Sequence, residues 1–579
     1  MTFVDRLPAV IVAHFRTIWV FLLLLLLGWG RAFTRDEPRA SSSVSELLHA
    51  LAGPIRFRKS DWLWLAAFLC FIAGYVFLIL RAEDFADYDD SILTDYALIG
   101  RNYPVAIFPN IGRFFPLGHQ EFNFLRLFTH SPVGYHAFGL IELFVLLCAT
   151  FLILQNVQVW ARFLILALIV VTPSFVVPTF GLIFPERNVL TLLALFVLLV
   201  ASRAEFPSRA FIVLALVVVH FLLYFKEPIA VFLAAFAGVR LAIAFRQAHG
   251  SSQPWRKVWS SSPLELGIAV QVLVFAVLFV AVILPHPNLS YADTLRSPNR
   301  TNVVSVFLAY LRINGLLGVF IAVVGIRATL LLRRREAPDP VWDALAVGAL
   351  SYAAVVLVLR MYESYFMAPV DLIAILYLVW LALRTPAPRG VVVAVAAMVA
   401  LQNLAYSAFH VVERKNTILG KERLASFFQQ YLRGSSGKQT RVYFPYASGY
   451  RLMELSAFLD YKGLPLAPND SSALDARTGL VFEGPGRFPD DRCIGYRMNL
   501  CVHRDAPSPN DLVVLLPDDA VPAGVPNTLA KSERLLLFSA PVGAPRKLLP
   551  IFSALRAVSP MFVDQVLSDA WLDLYVFKV

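Results

Sequence analysis

One pattern repeats over most of the chain: an apolar run long enough to cross a bilayer core, a short polar link, then another apolar run. Residues 138 to 154, followed almost at once by 163 to 177, are representative. About 20 apolar residues in a helix span the roughly 30 Å of hydrocarbon in a membrane. A soluble chain of 579 residues would divide its apolar side chains among several cores and would not carry such runs. With 58% of residues hydrophobic and 16% charged, the composition points the same way. The expected fold class is a polytopic α-helical membrane protein.

Eleven spans are expected near residues 62 to 80, 134 to 154, 160 to 178, 188 to 202, 209 to 225, 228 to 245, 264 to 284, 303 to 326, 341 to 359, 366 to 383 and 390 to 410. A run from 11 to 29 is a twelfth candidate, either an extra span or an interfacial helix. It lacks a basic leading region and a small-residue cleavage pattern, so a cleaved signal peptide is a poor reading. The formal net charge of +11 would suggest nucleic acid in a soluble domain. Here Lys and Arg gather in short links, where they set orientation, and no nucleic-acid partner is read. The links with Arg31, Arg35, Arg39, Arg56, Arg58 and Lys59, with Arg240, Arg246, Arg256 and Lys257, and with Arg327 and Arg333 to Arg335 fit one cytoplasmic side. The remaining polar motifs then fall on the extracytoplasmic side.

The resulting division is 1–60 for an N-terminal extra helix and basic cytoplasmic link, 61–411 for a transmembrane core with a large first outer loop at 81–133, and 412–579 for an extracytoplasmic soluble domain. Beyond about 411, charges, prolines and turn residues rise, and helical patterns (413 to 432, 450 to 461) alternate with short β-type runs (441 to 444, 512 to 516, 535 to 538, 574 to 579). A small α/β or α+β unit is expected there. Cys493 and Cys501 lie in this segment, facing an oxidising compartment on the topology above, and a disulfide between them is expected; Cys70 and Cys148 sit inside apolar runs.

The first outer loop carries the acidic cluster Asp87-Tyr88-Asp89-Asp90, then Tyr96, Arg101, Arg113, His119, Glu121 and many aromatic rings. A membrane protein can join two spans in a few residues, so about fifty with alternating rings and charges suggest interfacial helices packed over a cavity. Aromatic faces with carboxylates suit sugars; an interfacial belt of Tyr and Phe with solvated aspartates is the even alternative. Three outer turns pair a cation with a carboxylate: Glu186 with Arg187, Lys226 with Glu227, and Arg360 with Glu363, followed by Tyr365. Any one alone would more often be structural. Three together, on the side where cations are depleted, suggest neutralisation of a phosphate or diphosphate at the membrane surface. His220 and His410 read as interfacial, and Asp371, Glu142 and Asp343 as carboxylates that need partners at membrane depth. Phosphate-cradling loops, dinucleotide fingerprints, zinc spacings and nucleophile elbows are absent from the sequence.

This arrangement resembles the GT-C superfamily of integral-membrane glycosyltransferases, over the span-rich core and the trailing soluble domain. The resemblance rests on the acidic pair Asp89-Asp90 in the first large outer loop after the first core span, and on Glu363-Ser364-Tyr365 with Pro369, similar to a late aromatic, proline-bearing motif of that class. The basic residue often found in that late motif is present here only as Arg360. It implies that Asp89 or Asp90 is the general base taking a proton from the acceptor hydroxyl, with Asp87 as a substitute, while Tyr96, Arg101 and the stretch holding Arg113, His119 and Glu121 face the sugar. It further implies a polyprenyl-phosphate sugar donor with its tail among membrane lipids, a glycan, glycolipid or protein acceptor, and inversion at the anomeric carbon. The setting would be the bacterial inner (plasma) membrane, with the active site extracytoplasmic. No cofactor is certain; a divalent metal stays open, because carboxylates cluster but show no ligand spacing. A polysaccharide polymerase or ligase of the O-antigen type is the runner-up, and a non-catalytic lipid- or glycan-binding protein the third reading.

Overall fold

The computed structural model of the chain describes residues 3–32, 57–81, 85, 93, 102–109, 112–202, 209–249, 253–285, 302–361, 363–384, 389–434, 440–446, 449–464, 480–484, 501–503, 505–516, 529, 532–541 and 571–579. The helices begin with α1 (Phe3–Ala32) and α2 (Lys59–Arg81). A two-stranded antiparallel ladder, β1 (Ile107–Phe108) with β2 (Arg113–Phe114), and the short α3 (Gln120–Leu125) follow. Then come α4 (Pro132–Ile153), α5 (Val159–Val170), α6 (Pro173–Phe180), α7 (Glu186–Ser202), α8 (Arg209–Phe225), α9 (Ile229–Ala248), α10 (Pro254–Ser261) and α11 (Pro263–Ile283). After these lie α12 (Val303–Ile313), α13 (Leu316–Leu332), α14 (Trp342–Val358), a 3-10 turn Ser364–Met367, α15 (Ala368–Arg384) and α16 (Arg389–Gly434).

Every expected apolar run is helical, yet only six helices among the described residues are long and apolar enough to cross a membrane, or up to eight if each of two bent pairs is one span. Length explains part of the difference from eleven or twelve. α7, α8 and α14 have 17 residues each, about 25 Å of helix, slightly short of a hydrocarbon core. The other part is breaks inside two expected spans. α5 and α6 meet at 68°, where Thr172 precedes Pro173: proline lacks the N–H for the preceding turn and pushes its neighbour out of the helical region. α12 and α13 meet at 106° at Asn314-Gly315, where Asn314 Oδ1 accepts the Leu316 N–H at 3.0 Å and so starts a new helix.

The helices pack around one continuous apolar core that runs from Phe15 through Phe196, Phe232 and Phe320 to Tyr377. Outward faces stay apolar too: Leu63 and Phe77 of α2, Ile141 and Phe144 of α4 and Leu273 of α11 are exposed. Apolar surface on both sides of a helix fits lipid outside and protein inside. α1 lies against α8 and α11, with Phe15 edge-on to Phe114 and Tyr224 at 5.9 and 5.5 Å, so its residues belong to the bundle. His220, read as interfacial, is buried and stacks on Trp19 of α1 at 5.0 Å.

The expected break at 411 is not a break in the backbone: α16 runs through it as a single 46-residue helix, about 70 Å long. Its later part, through Leu424 and Phe428, packs on a six-stranded mixed sheet. β3 (Thr440–Tyr443), β4 (Leu480–Gly484), β5 (Cys501–His503) and β6 (Leu512–Leu515) are parallel neighbours, with α17 (Gly449–Tyr461) between β3 and β4. β7 (Glu533–Pro541) and β8 (Trp571–Lys578) add an antiparallel edge in the order β5-β4-β3-β6-β8-β7. Four strands match expected β-type runs; β4 and β5 were not expected, being too short and too weakly alternating to register. The sheet unit touches the first outer loop where Tyr461 of α17 meets Phe85 edge-on at 5.3 Å.

Buried charges at the opposite end of the bundle pair across helices. Arg327 of α13 donates to Asp343 of α14 at 3.1 and 3.2 Å, and the Tyr377 hydroxyl of α15 donates to the same carboxylate at 3.1 Å. Removing one partner strands the other in a low-dielectric site. Arg327→Leu is expected to lower stability by about 3–5 kcal/mol, and the paired change Arg327→Leu with Asp343→Leu to recover most of it, read as thermal unfolding in detergent.

Candidate functional site

The neighbouring ends of α4, α7, α8 and α9 converge with β2 and α3 on a buried charged cluster. α7 opens with Glu186-Arg187-Asn188, and the link from α8 to α9 is Lys226-Glu227-Pro228. Pro228 caps α9, so the two charged residues before it are held in a tight turn. Lys226 Nζ stands 2.6 Å from Glu186 Oε1, and the two are 4% and 0% exposed. Arg187 binds Glu142 of α4. Gly139, one turn before Glu142, makes room for it: a Cβ there would lie 3.1 Å from Arg187 Nη1. Arg187 Nη2 is buried without a protein partner.

The outer loop enters from the other side. Arg113 Nε donates to Glu227 Oε1 at 3.0 Å, and the Phe114 N–H reaches the same oxygen at 2.8 Å. The Leu117 N–H on the Tyr224 carbonyl, 3.0 Å, pins the loop to the end of α8. His119 starts α3 in the left-handed region (φ 68), its ring parallel to that of Phe122 and 4.9 Å from that of Tyr103. Burial, with Lys226, Arg113 and Arg187 nearby, holds its pKa down at about 3, so the imidazole is neutral. Glu121 accepts from Asn188 Nδ2 at 2.8 Å, while its Oε2 is sealed without a partner. Burial, opposed by Arg187 and helped by Glu142, pushes its carboxyl up to about 7.

Above Lys226 lie two rings, Phe366 at 5.0 Å and Phe115 at 5.9 Å. Phe366 belongs to the 3-10 turn, whose Tyr365 packs on Phe184 at 4.8 Å, and the Tyr310 hydroxyl donates to the Met361 and Glu363 carbonyls at 2.7 and 2.9 Å. The turn is thus seated beside the cluster through its rings, with the Glu363 side chain exposed. Arg360 has a backbone task that its charge does not reveal. With φ 54, it ends α14 in a left-handed cap: its N–H meets the Leu357 carbonyl and the Met361 N–H the Val356 carbonyl, at 3.0 and 3.1 Å.

Beside the cluster, α9, α11 and α14 leave an apolar groove of about 420 Å³ lined by residues such as Phe275, Phe279 and Leu359, with Arg113 and Glu227 at its rim. Of the cluster's residues, Arg113 and Glu227 are the two that line this groove.

Of the residues singled out in the sequence, Arg113, His119, Glu121, Glu186, Arg187, Lys226 and Glu227 are brought together. Asp87, Asp89, Asp90, Tyr96, Arg101 and Cys493 lie outside the described residues, so neither the acidic cluster nor the Cys493–Cys501 pairing is described. Glu142, read as a carboxylate needing a partner that could face the same cavity, belongs to the cluster through Arg187. His136 and Tyr352, both buried with a ring nitrogen or hydroxyl left unpartnered, were not foreseen, because a lone polar residue in an apolar run carries no local signal. Among the described residues no three His, Cys, Asp or Glu side chains come together to hold a metal ion.

The fold and site define a polytopic helical membrane protein with a charged cluster at one end of its spans. No protein-family model matches the chain, and no curated protein matches it. Solved structures do: ArnT from Cupriavidus metallidurans bound to undecaprenyl phosphate is 13% identical, with a TM-score of 0.43 over 79% of this chain and 93% of that one. The apo state of ArnT from the same organism is also 13% identical, with a TM-score of 0.40 over 79% of this chain and 94% of the other.

Two outcomes follow from the site's electrostatics and backbone. Because Glu121 holds its proton more tightly when folded, its contribution is full below about pH 4.5 and is lost as pH rises to about 7. Glu121→Gln is expected to flatten the decline in thermal stability across that window. Arg360→Gly relieves a left-handed backbone and is expected to keep or raise stability by up to about 1 kcal/mol; a clear fall in unfolding temperature would show that its side chain carries the site.

Proposed function

We propose that the chain is a membrane glycosyltransferase of the GT-C type that moves a sugar from a polyprenyl-phosphate donor to a glycan, glycolipid or protein acceptor at the extracytoplasmic face of a bacterial inner membrane. The observation that carries this reading is the Arg113–Glu227 pair in the lining of the apolar groove between α9, α11 and α14, with the buried Lys226–Glu186 pair next to it in the chain. An isoprenoid tail suits the groove, and the phosphate suits the cations at its end.

In this reading the acceptor hydroxyl oxygen attacks the anomeric carbon as the bond to phosphate breaks, and the electron pair leaves on a phosphate oxygen. Lys226, Arg113 and Arg187 offset that charge in a site shielded from water. The hydroxyl proton passes to Asp89 or Asp90, with Asp87 as substitute, and the same carboxylate favours the oxocarbenium-like carbon. One displacement inverts the anomeric centre. In this reading His119 and Glu121 stand on the sugar's side of the cluster, held in place by the rings of Tyr103, Phe115 and Phe122. The sheet unit beyond α16, stapled in this reading by Cys493 and Cys501, closes over the outer loop.

The test is transfer of a radiolabelled sugar from a polyprenyl-phosphate donor by the full chain in proteoliposomes. Lys226→Ala is expected to lower kcat by roughly 10²–10³-fold, the loss typical of removing one preorganised charge partner. Asp89→Asn combined with Asp90→Asn is expected to abolish transfer. Wild-type rates in both variants would overturn the reading and favour a non-catalytic lipid- or glycan-binding protein.

A further inference from the structure

The end of the bundle opposite the charged cluster carries a second groove. α9 leaves the cluster at Ile229 and ends about 30 Å away at Ala248, after which the chain turns into α10 and then α11. There α1, α8 and α11 leave a space of about 320 Å³. Its walls are apolar side chains such as Leu22 and Leu26 of α1 and Leu266 and Val274 of α11, with Trp259 of α10 at one end. Leu25 and Val270, also in the lining, are exposed, so the groove opens on the outside of the bundle, where lipid lies. The two polar residues of the lining spend their nitrogens on the protein. His220 Nε2 stands 3.3 Å from the Trp19 carbonyl, and Gln271 Nε2 donates to the Leu216 carbonyl at 3.2 Å, with Gln271 Oε1 sealed from the surface. What remains fits an apolar chain.

Length selects among apolar chains. From Pro263 to Val274 the groove follows α11 for about 17 Å, close to the roughly 15 Å that one leaflet contributes to a hydrocarbon core. One acyl chain of a phospholipid has that reach, whereas a long polyprenyl chain overruns it. Charge selects the headgroup. α10 is a short amphipathic helix at the mouth of the groove: Val258 is buried, Trp255 packs on Phe245 of α9 at 4.8 Å, and both tryptophans are exposed. Indole rings placed in this way sit at headgroup depth in a bilayer. Arg256, one turn before Trp259, and Lys257 after it are exposed at the same level. α10 has no acid of its own, and Glu265, the nearest in the chain, is buried against Arg240 at 2.5 Å. Two positive charges beside an apolar groove one leaflet deep match an anionic phospholipid.

We propose that this groove binds one anionic phospholipid, with an acyl chain between α1 and α11 and the phosphate against Arg256 and Lys257. Near its start α1 is seated directly, through Phe15 on Phe114 and Tyr224. The lipid completes the packing at the other end, where Leu22, Leu25 and Leu26 border the open space. The inference is independent of the transferase reading, since the residues it tests belong neither to the charged cluster nor to the groove beside Glu227.

The experiment uses the full chain, purified and delipidated in detergent, and titrated with phosphatidylglycerol or phosphatidylcholine of identical acyl chains. Native mass spectrometry counts the lipids retained. One phosphatidylglycerol per chain is expected at a concentration at least about tenfold below that needed for phosphatidylcholine, the preference that two surface cations supply, and the unfolding midpoint is expected to rise with occupancy. Arg256→Gln combined with Lys257→Gln is expected to bring phosphatidylglycerol down to the phosphatidylcholine level. Val270→Trp, which fills the groove from its exposed side, is expected to weaken retention of both lipids while leaving the lipid-free unfolding midpoint unchanged. Should Val270→Trp fail to fold, Leu25→Trp takes its place. Equal retention of the two lipids by the wild-type chain overturns the proposal and leaves an unselective lipid annulus. A phosphatidylglycerol preference that survives both the charge and the groove variants places the site elsewhere and overturns it equally. Displacement of bound phosphatidylglycerol by an equimolar polyprenyl phosphate marks the groove as an isoprenoid site and also overturns it.

Discussion

Lys226 and Glu186 are the pair on which one end of the bundle depends. Neither is reached by solvent, and each is tolerable only because the other is 2.6 Å away. An ion pair of this kind is not a large source of stability, since desolvating both charges offsets most of their attraction. Its effect is on arrangement. The start of α7 and the α8–α9 turn must meet in one register, and Arg187 with Glu142 and Arg113 with Glu227 then repeat the constraint toward α4 and the outer loop. The same rule operates at the other end, through Arg327 with Asp343 and Arg240 with Glu265.

Against that background Asp371 stands out because its partners are neutral. Its carboxylate accepts from a hydroxyl and an amide. The breaks that surround it are local in origin, a proline in one span and Asn-Gly in the other. They meet at Asp371, whose hydrogen bonds with Ser174 and Asn314 join the two breaks within the apolar core.

How much of this was legible varies with the range of the signal. The apolar runs are local and long, and each one is helical. The polar turns at Glu186, Lys226 and Glu363 were visible as cation and carboxylate neighbours, and the first two converge as the spacing suggested. Arg360 illustrates the opposite: its charge drew attention, while its left-handed backbone, at a position glycine usually takes, depends on how α14 ends. His136, Glu142 and Tyr352 are single polar residues in apolar helices, and only the packing of the helices buries them. The actual pairing was also hidden. Sequence neighbours suggested Glu186 with Arg187 and Lys226 with Glu227, whereas the structure crosses them, Lys226 to Glu186, Arg187 to Glu142 and Glu227 to Arg113.

By itself, then, the sequence determined the class of molecule: apolar runs of span length leave the backbone no choice but helix, and the charges gathered in the links decide which parts can meet water. The tertiary structure decided which charges face one another, where two spans break, and that a groove opens beside Arg113 and Glu227. Those outcomes belong to contacts between residues far apart in the chain, where burial raises the cost of an unpaired charge and so selects among packings that the same run of helices would otherwise allow.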